Sequence, residues 1–143
     1  MSIEHFDVLI IGAGLSGIGT ACHLSQKCPD KTYAILEGRD AIGGTWDLFR
    51  YPGIRSDSDM FTLGYNFKPW TSNKGIAAGG DICNYIREAA DEHNVTSHVR
   101  YSHSVKKVNW DSNKAQWIVD VVLSDTGESR QYSAGFVVSC TGY

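Results

Sequence analysis

The sequence predicts an α/β domain of three layers, a parallel sheet with an antiparallel β-meander covering one face. Two almost continuously apolar runs, Phe6–Ile11 and Phe136–Ser139, read as strands buried on both faces of a parallel sheet. Between them, residues 98–132 alternate in character and carry turn signals at Asp111-Ser112-Asn113 and Asp125-Thr126-Gly127, the pattern of a meander. The length of 143 residues suits one domain with a core of its own.

Each element has its reason. Phe6–Ile11 is rich in β-branched residues and is broken by Gly12-Ala13-Gly14. From Leu15 to about Gln26, the residues Leu15, Ile18, Ala21, Cys22 and Leu24 approximate helical spacing, and Cys28-Pro29-Asp30 stops the helix. Thr32–Leu36 is a second apolar strand closed by Glu37, so the three elements form a right-handed βαβ unit. Residues 38–80 hold no period for long, and only Ser58–Tyr65 could form a short helix; loops of this length in a compact domain are usually functional. Asp81 reads as an N-cap, followed by Ile82, Tyr85, Ile86 and Ala89 on one helical face up to about His93. The meander follows, then the last strand and Cys140-Thr141-Gly142-Tyr143.

Composition excludes several classes. Apolar residues make up 42% and charged residues 20%, which is neither disordered nor membrane-embedded. The net charge of −3, without a basic block, argues against a nucleic-acid partner. The longest apolar run is too short to span a bilayer, and no secretory pattern opens the chain. A cytoplasmic location and four reduced thiols (Cys22, Cys28, Cys83, Cys140) are expected. No spacing of His, Cys, Asp or Glu suggests a metal site.

The chemistry begins at Gly12-x-Gly14-x-x-Gly17, placed between a strand and a helix. Gly12 permits the tight turn, Gly14 lets a pyrophosphate reach the backbone, and Gly17 lets the helix pack on the strand. The helix N-terminus offers free N–H groups and the positive end of a dipole. This is a Rossmann-like dinucleotide turn. Glu37, 20 residues after Gly17, can accept hydrogen bonds from both hydroxyls of an adenosine ribose and would repel a 2′-phosphate, which favours FAD or NAD over NADP. Arg39 either stacks on the adenine or is solvated.

The long loop adds Gly43-Gly44-Thr45-Trp46-Asp47 and Arg50-Tyr51-Pro52-Gly53-Ile54-Arg55-Ser56-Asp57. Adjacent glycines let backbone approach a flat ligand, Trp46 can lie on a ring system, and Arg55 and Asp57 bring opposite charges close together. Together with the glycine turn and Glu37, these motifs resemble the N-terminal FAD-binding region of class B flavin monooxygenases, the Baeyer–Villiger and flavin-containing monooxygenase family. Cys140-Thr141-Gly142 is similar to that family's alanine-threonine-glycine segment, with Cys in place of Ala. The resemblance covers essentially the whole chain.

The resemblance implies roles for the matching positions. Gly12, Gly14 and Gly17 would hold the FAD pyrophosphate, and Glu37 the ribose. Thr45, Trp46 and Asp47 would lie along the ribityl chain and isoalloxazine, Val105 would meet the adenine through its backbone, and Thr141 and Gly142 would pack close to the cofactor. Asp57 would sit at the flavin's reactive edge, with Arg55 where the nicotinamide of NADPH docks; Asp57 could instead cap the short helix starting near Ser58. Leu63 stands where the family often has an aromatic residue, and Tyr65 is the nearby substitute. The family's second glycine turn for NADPH is missing, so residues 1–143 are expected to be one FAD-binding domain, the N-terminal portion of a longer flavoprotein. The implied reaction inserts one oxygen atom of O2 into a ketone, the partners being a small organic substrate, O2 and the rest of the parent chain. N- or S-oxygenation is the alternative chemistry, and a truncated, non-catalytic FAD-binding module the alternative of another class.

Overall fold

A computed structural model describes residues 3–142; Tyr143, the end of the closing Cys-Thr-Gly-Tyr segment, lies outside the described residues. The elements are β1 (Glu4–Ile11), α1 (Leu15–Lys27), β2 (Tyr33–Leu36), α2 (Thr45–Leu48), α3 (Met60–Leu63), α4 (Gly79–Glu92), a 3-10 turn (Thr96–His98), β3 (Val99–Arg100), β4 (His103–Asp111), β5 (Gln116–Leu123) and β6 (Ser129–Ser139). One six-stranded sheet has the order β3-β2-β1-β6-β5-β4. The β1, β2, β3 and β1, β6 pairings are parallel, while β4, β5 and β6 run antiparallel.

Alternation along β1 and β2 builds two cores. Ile10, Tyr33 and Ile35 face α1 and α4, meeting Ile18, Ala21 and Cys22 from one helix and Ile82, Ile86 and Ala89 from the other. Leu9, Ala34 and Leu36 face the other way, onto Val119, Val121, Leu123, Tyr132 and Ala134 of the meander. Burying each of the larger aliphatic side chains contributes about 1.5–3 kcal/mol, so both layers are held firmly. The result is helices, parallel sheet and meander in three layers, as expected, with Phe6–Ile11 and Phe136–Ser139 in one sheet.

Four local expectations are corrected. The last meander strand and the final parallel strand are one element: Ser129–Ala134 pairs with β5, and Tyr132–Ser139 runs beside β1. No turn residue interrupts Ser133-Ala134-Gly135, so the strand passes from one layer to the next without ending. Thr45–Leu48, expected as loop, is a helical turn. The fourth helix starts at Gly79 with Ala78 as N-cap, which places Asp81 inside the first turn, where its charge complements the helix dipole instead of capping. The third helix is capped by Asp59, whose carboxylate accepts the Thr62 N–H at 2.9 Å; Asp57 is not its cap.

Candidate functional site

The site is built where β1 and β2 end, the position at which open α/β sheets bind ligands. Gly12 has φ +105°, and a Cβ there would lie 2.3 Å from the Cys140 carbonyl oxygen. A Cβ on Gly17 would lie 1.8 Å from the Gly12 carbonyl oxygen. Both glycines are therefore demanded by the chain's own packing. Gly14 differs. As N-cap of α1 it has ordinary extended backbone, and a Cβ there would meet nothing nearer than the Gly44 Cα at 3.4 Å. A Cβ on Gly44 would in turn stand 2.9 Å from the Gly14 Cα. Two bare backbones thus face each other at the start of α1, whose first turn carries no acidic residue to offset the positive dipole end.

Glu37 ties this turn to the end of β2. It is 8% exposed, and its Oε1 accepts the Ala13 N–H at 2.9 Å while Oε2 accepts the Arg39 N–H at 3.0 Å. Its carbonyl accepts the His103 N–H at 2.8 Å, which draws the start of β4, and with it half-buried Val105, alongside. A carboxylate has about four acceptor sites, so two remain for hydroxyl donors.

The Gly-Gly-Thr-Trp-Asp segment closes on the same turn. Gly43, at φ +129°, donates its N–H to the Ala13 carbonyl at 3.0 Å, and α2 begins directly after Gly44. Trp46 is half-buried and lines a cavity of about 350 Å³ with Phe49, Ile54, Cys83 and Arg87. Asp47 is 3% exposed and is met by three guanidinium groups: Arg50 at 2.7 Å and Arg87 at 2.9 Å on Oδ1, Arg39 at 2.9 Å on Oδ2. Burial would raise the Asp47 carboxyl, but hydrogen bonds from Arg50 and Arg39 outweigh it and hold the group below the usual aspartate range. Arg39 is thus an ion-pair partner, held by Asp47, and its Nη1 stays buried with no partner among the described residues.

Thr141 follows Cys140, whose carbonyl lies against Gly12, and Gly142 takes φ +71°. Arg55 and Asp57 stand apart. Residues 54–56 pair with 77–79 through an Arg55–Ala78 bridge, and Ser56 accepts the Ala77 N–H on Oγ at 3.1 Å. Ser56 is buried, whereas Arg55 and Asp57 are exposed and make no ion pair with each other or with any described residue. Tyr65 does not reach the site. Its ring fills the space under Gly19, stacks on Phe67 and Tyr85, and its hydroxyl donates to the Leu15 carbonyl.

The structure therefore brings Gly12, Gly14, Gly17, Glu37, Asp47, Thr141 and, through its neighbours, Val105 into one junction. Sequence reasoning missed Arg87 and the Cys140 carbonyl. Neither has a local signal, since each meets its partner across 40 residues or more of chain.

Comparison with known proteins adds a family model, a curated relative and two solved structures. A family model described as an NAD(P)-binding Rossmann-like domain matches residues 10–71. The FAD-containing monooxygenase EthA of Mycolicibacterium smegmatis is 56% identical over 140 residues, covering 98% of this chain and 28% of that protein. Among solved structures, OTEMO in complex with FAD and NADP superposes with a TM-score of 0.81 at 30% identity, over 96% of this chain and 26% of that one. Cyclohexanone-bound cyclohexanone monooxygenase does so with 0.83 at 26% identity, over 99% and 27%. The chain spans just over a quarter of the length of the curated relatives it matches.

Proposed function

We propose that this chain, a homologue of the FAD-containing monooxygenases over 98% of its length, is the FAD-binding part of an NADPH-using flavin monooxygenase that inserts one oxygen atom of O2 into a ketone. The observation that carries the reading is the Gly14–Gly44 contact. Gly14 has no packing reason to lack a side chain, so its bare Cα, beside an uncompensated helix N-terminus, fits the approach of a pyrophosphate. The acceptor sites of Glu37 that the Ala13 and Arg39 N–H groups leave open fit the same ligand.

When bound, FAD supplies the hydride-accepting and O2-activating chemistry. The residues of this chain place it. Gly12, Gly14 and Gly17 shape the backbone that meets the pyrophosphate, Glu37 accepts from the ribose, and the Val105 backbone borders the adenine. Thr45, Trp46 and Asp47 bring α2 along the ribityl chain, with Trp46 excluding water from one side. Thr141 and Gly142 close the junction beside Gly12. Arg55 and Asp57, exposed and without an ion pair among the described residues, serve the reactive edge: Arg55 beside the docking nicotinamide, Asp57 orienting a positive group supplied from outside this chain. The ketone assignment rests on Tyr51-Pro52-Gly53-Ile54-Arg55-Ser56-Asp57 and is supported by the cyclohexanone-bound neighbour; N- or S-oxygenation is the rival chemistry. No helix among the described residues is long and apolar enough to cross a membrane, and the four unpaired cysteines suit a cytoplasmic setting.

The isolated chain is read as binding FAD without turning it over, because it spans only 28% of the length of a relative that is an FAD-containing monooxygenase. Titrating the purified chain with FAD, while recording the flavin spectrum and NADPH consumption, tests both parts. Binding with negligible NADPH consumption is expected. A folded chain that leaves the flavin spectrum unchanged would remove the proposal.

A further inference from the structure

Asp47 has the shape of a ligand contact in the sequence and the surroundings of something else in the fold. Its side chain is 2% exposed, and both oxygens are spent on Arg39, Arg50 and Arg87. The three arginines come from different places. Arg39 follows Glu37 by two residues and gives it a backbone N–H; Arg87 sits on α4; Arg50 lies just beyond α2 and also bonds the Asp47 carbonyl through Nε at 2.8 Å. Asp47 itself lies three residues after Gly44, the residue that touches Gly14. One buried carboxylate therefore joins the ribose-binding end of the cradle to the backbone junction where a pyrophosphate would pass.

We propose that Asp47 is a positioning residue: its carboxylate, gripping Arg39 and Arg87, fixes α2 and the Gly43-Gly44 turn against Gly14 and Glu37, and so holds the two ends of the cofactor cradle at one spacing without touching the cofactor. The inference rests on the FAD-binding reading for its functional consequence, but the grip itself is a property of the ligand-free chain. Hydrogen bonds in which both members are charged are the strong ones, and removing one member of a buried ionic group leaves the others uncompensated. The grip is unequal. The Arg50 side chain is 73% exposed, so its bond to Asp47 is diluted by water; those of Arg39 and Arg87 are 36% and 44% exposed.

The test uses the whole chain and two readouts, amide hydrogen exchange without ligand and FAD affinity. In Asp47→Asn, exchange should accelerate about tenfold or more at Gly43, Leu48, Phe49 and Ala13, whose N–H bonds tie α2 and the turn together, while Leu9 and Ile10 inside β1 stay as in the parent. FAD should bind about tenfold more weakly. Arg50→Gln, which removes the most exposed of the three partners, should change both less than Asp47→Asn does. Arg39→Met removes only the link to the Glu37 end, and should speed exchange at Ala13 and weaken FAD severalfold even if Asp47→Asn fails to fold. Equal exchange and affinity in Arg39→Met and parent would overturn the proposal. So would acceleration spread evenly over the molecule, or a loosened α2 with FAD affinity unchanged. A parent chain that binds no FAD would remove the function instead, and the exchange pattern would still judge the grip.

Discussion

Around the glycine turn nearly every group is already engaged. The Gly12 N–H donates to Leu36, Ala13 to Glu37, Gly43 to Ala13, and Asp47 is wrapped by three arginines. Some ten residues further on, Arg55 and Asp57 flank a buried Ser56, and their side chains make no ion pair among the described residues. The two regions serve one proposed ligand, yet one is finished within this chain and the other is presented. A pre-set backbone cradle loses little entropy when a ligand arrives, which suits permanent holding of a cofactor. Exposed, unpartnered charges suit a reaction edge that is completed from outside. Substitutions should therefore separate the two regions sharply.

The largest effect is expected at Gly17. A Val there would drive its Cβ into the Gly12 carbonyl, which nothing flexible can relieve, at a cost of about 3 kcal/mol or more. Thermal melting by circular dichroism should show a large fall or loss of the transition. Glu37→Ala comes next. It strips the acceptor from two backbone N–H groups, at about 1–3 kcal/mol for each that stays buried, and removes the ribose contact as well. Melting point and FAD affinity should fall together, the latter about tenfold to a hundredfold; affinity equal to the parent would place the ribose elsewhere.

Acidification should reach Asp47 late. Its pKa is held below the ordinary aspartate value, so its contribution to stability is fully present above that value and is lost only as pH falls through the lower folded-state one. Chemical unfolding as a function of pH should show this loss in the parent and not in Asp47→Asn. The smallest effect belongs to the open region. Arg55→Ala and Asp57→Ala should change stability by no more than about 0.5 kcal/mol and leave FAD binding intact, while slowing flavin reduction by NADPH in a full-length enzyme. A marked drop in melting point for either would assign it a structural role and blunt the contrast.

Much of this was legible in the sequence, for physical reasons that differ by residue. The βαβ unit announces itself because burial on both faces leaves Val8–Ile11 and Ala34–Leu36 without a polar position, and a steric rule places Gly12 and Gly17. The meander shows in its alternation. What was hidden depends on contacts between distant segments. A cap is decided by one residue's register, so Asp59 and not Asp57 holds α3, and Ala78 precedes α4 where Asp81 looked the better choice. The four residues of α2 are too few to show a period. No pattern within Gly43-Gly44-Thr45-Trp46-Asp47 announces that Arg39 and Arg87 converge on Asp47, and no local pattern marks Tyr65 as the plug beneath Gly19.

Gly14 offers the most direct test, because it is the one glycine of the turn whose bareness the protein does not need. Parent and Gly14→Ala should be melted without ligand and then titrated with FAD under the same conditions, following flavin fluorescence. The two are expected to melt within about 1 kcal/mol of each other in stability, since the new Cβ meets only Gly44 at an ordinary distance, while FAD binds the variant about tenfold more weakly or worse. Equal FAD binding by both, with both folded, would contradict the placement of the pyrophosphate at this junction.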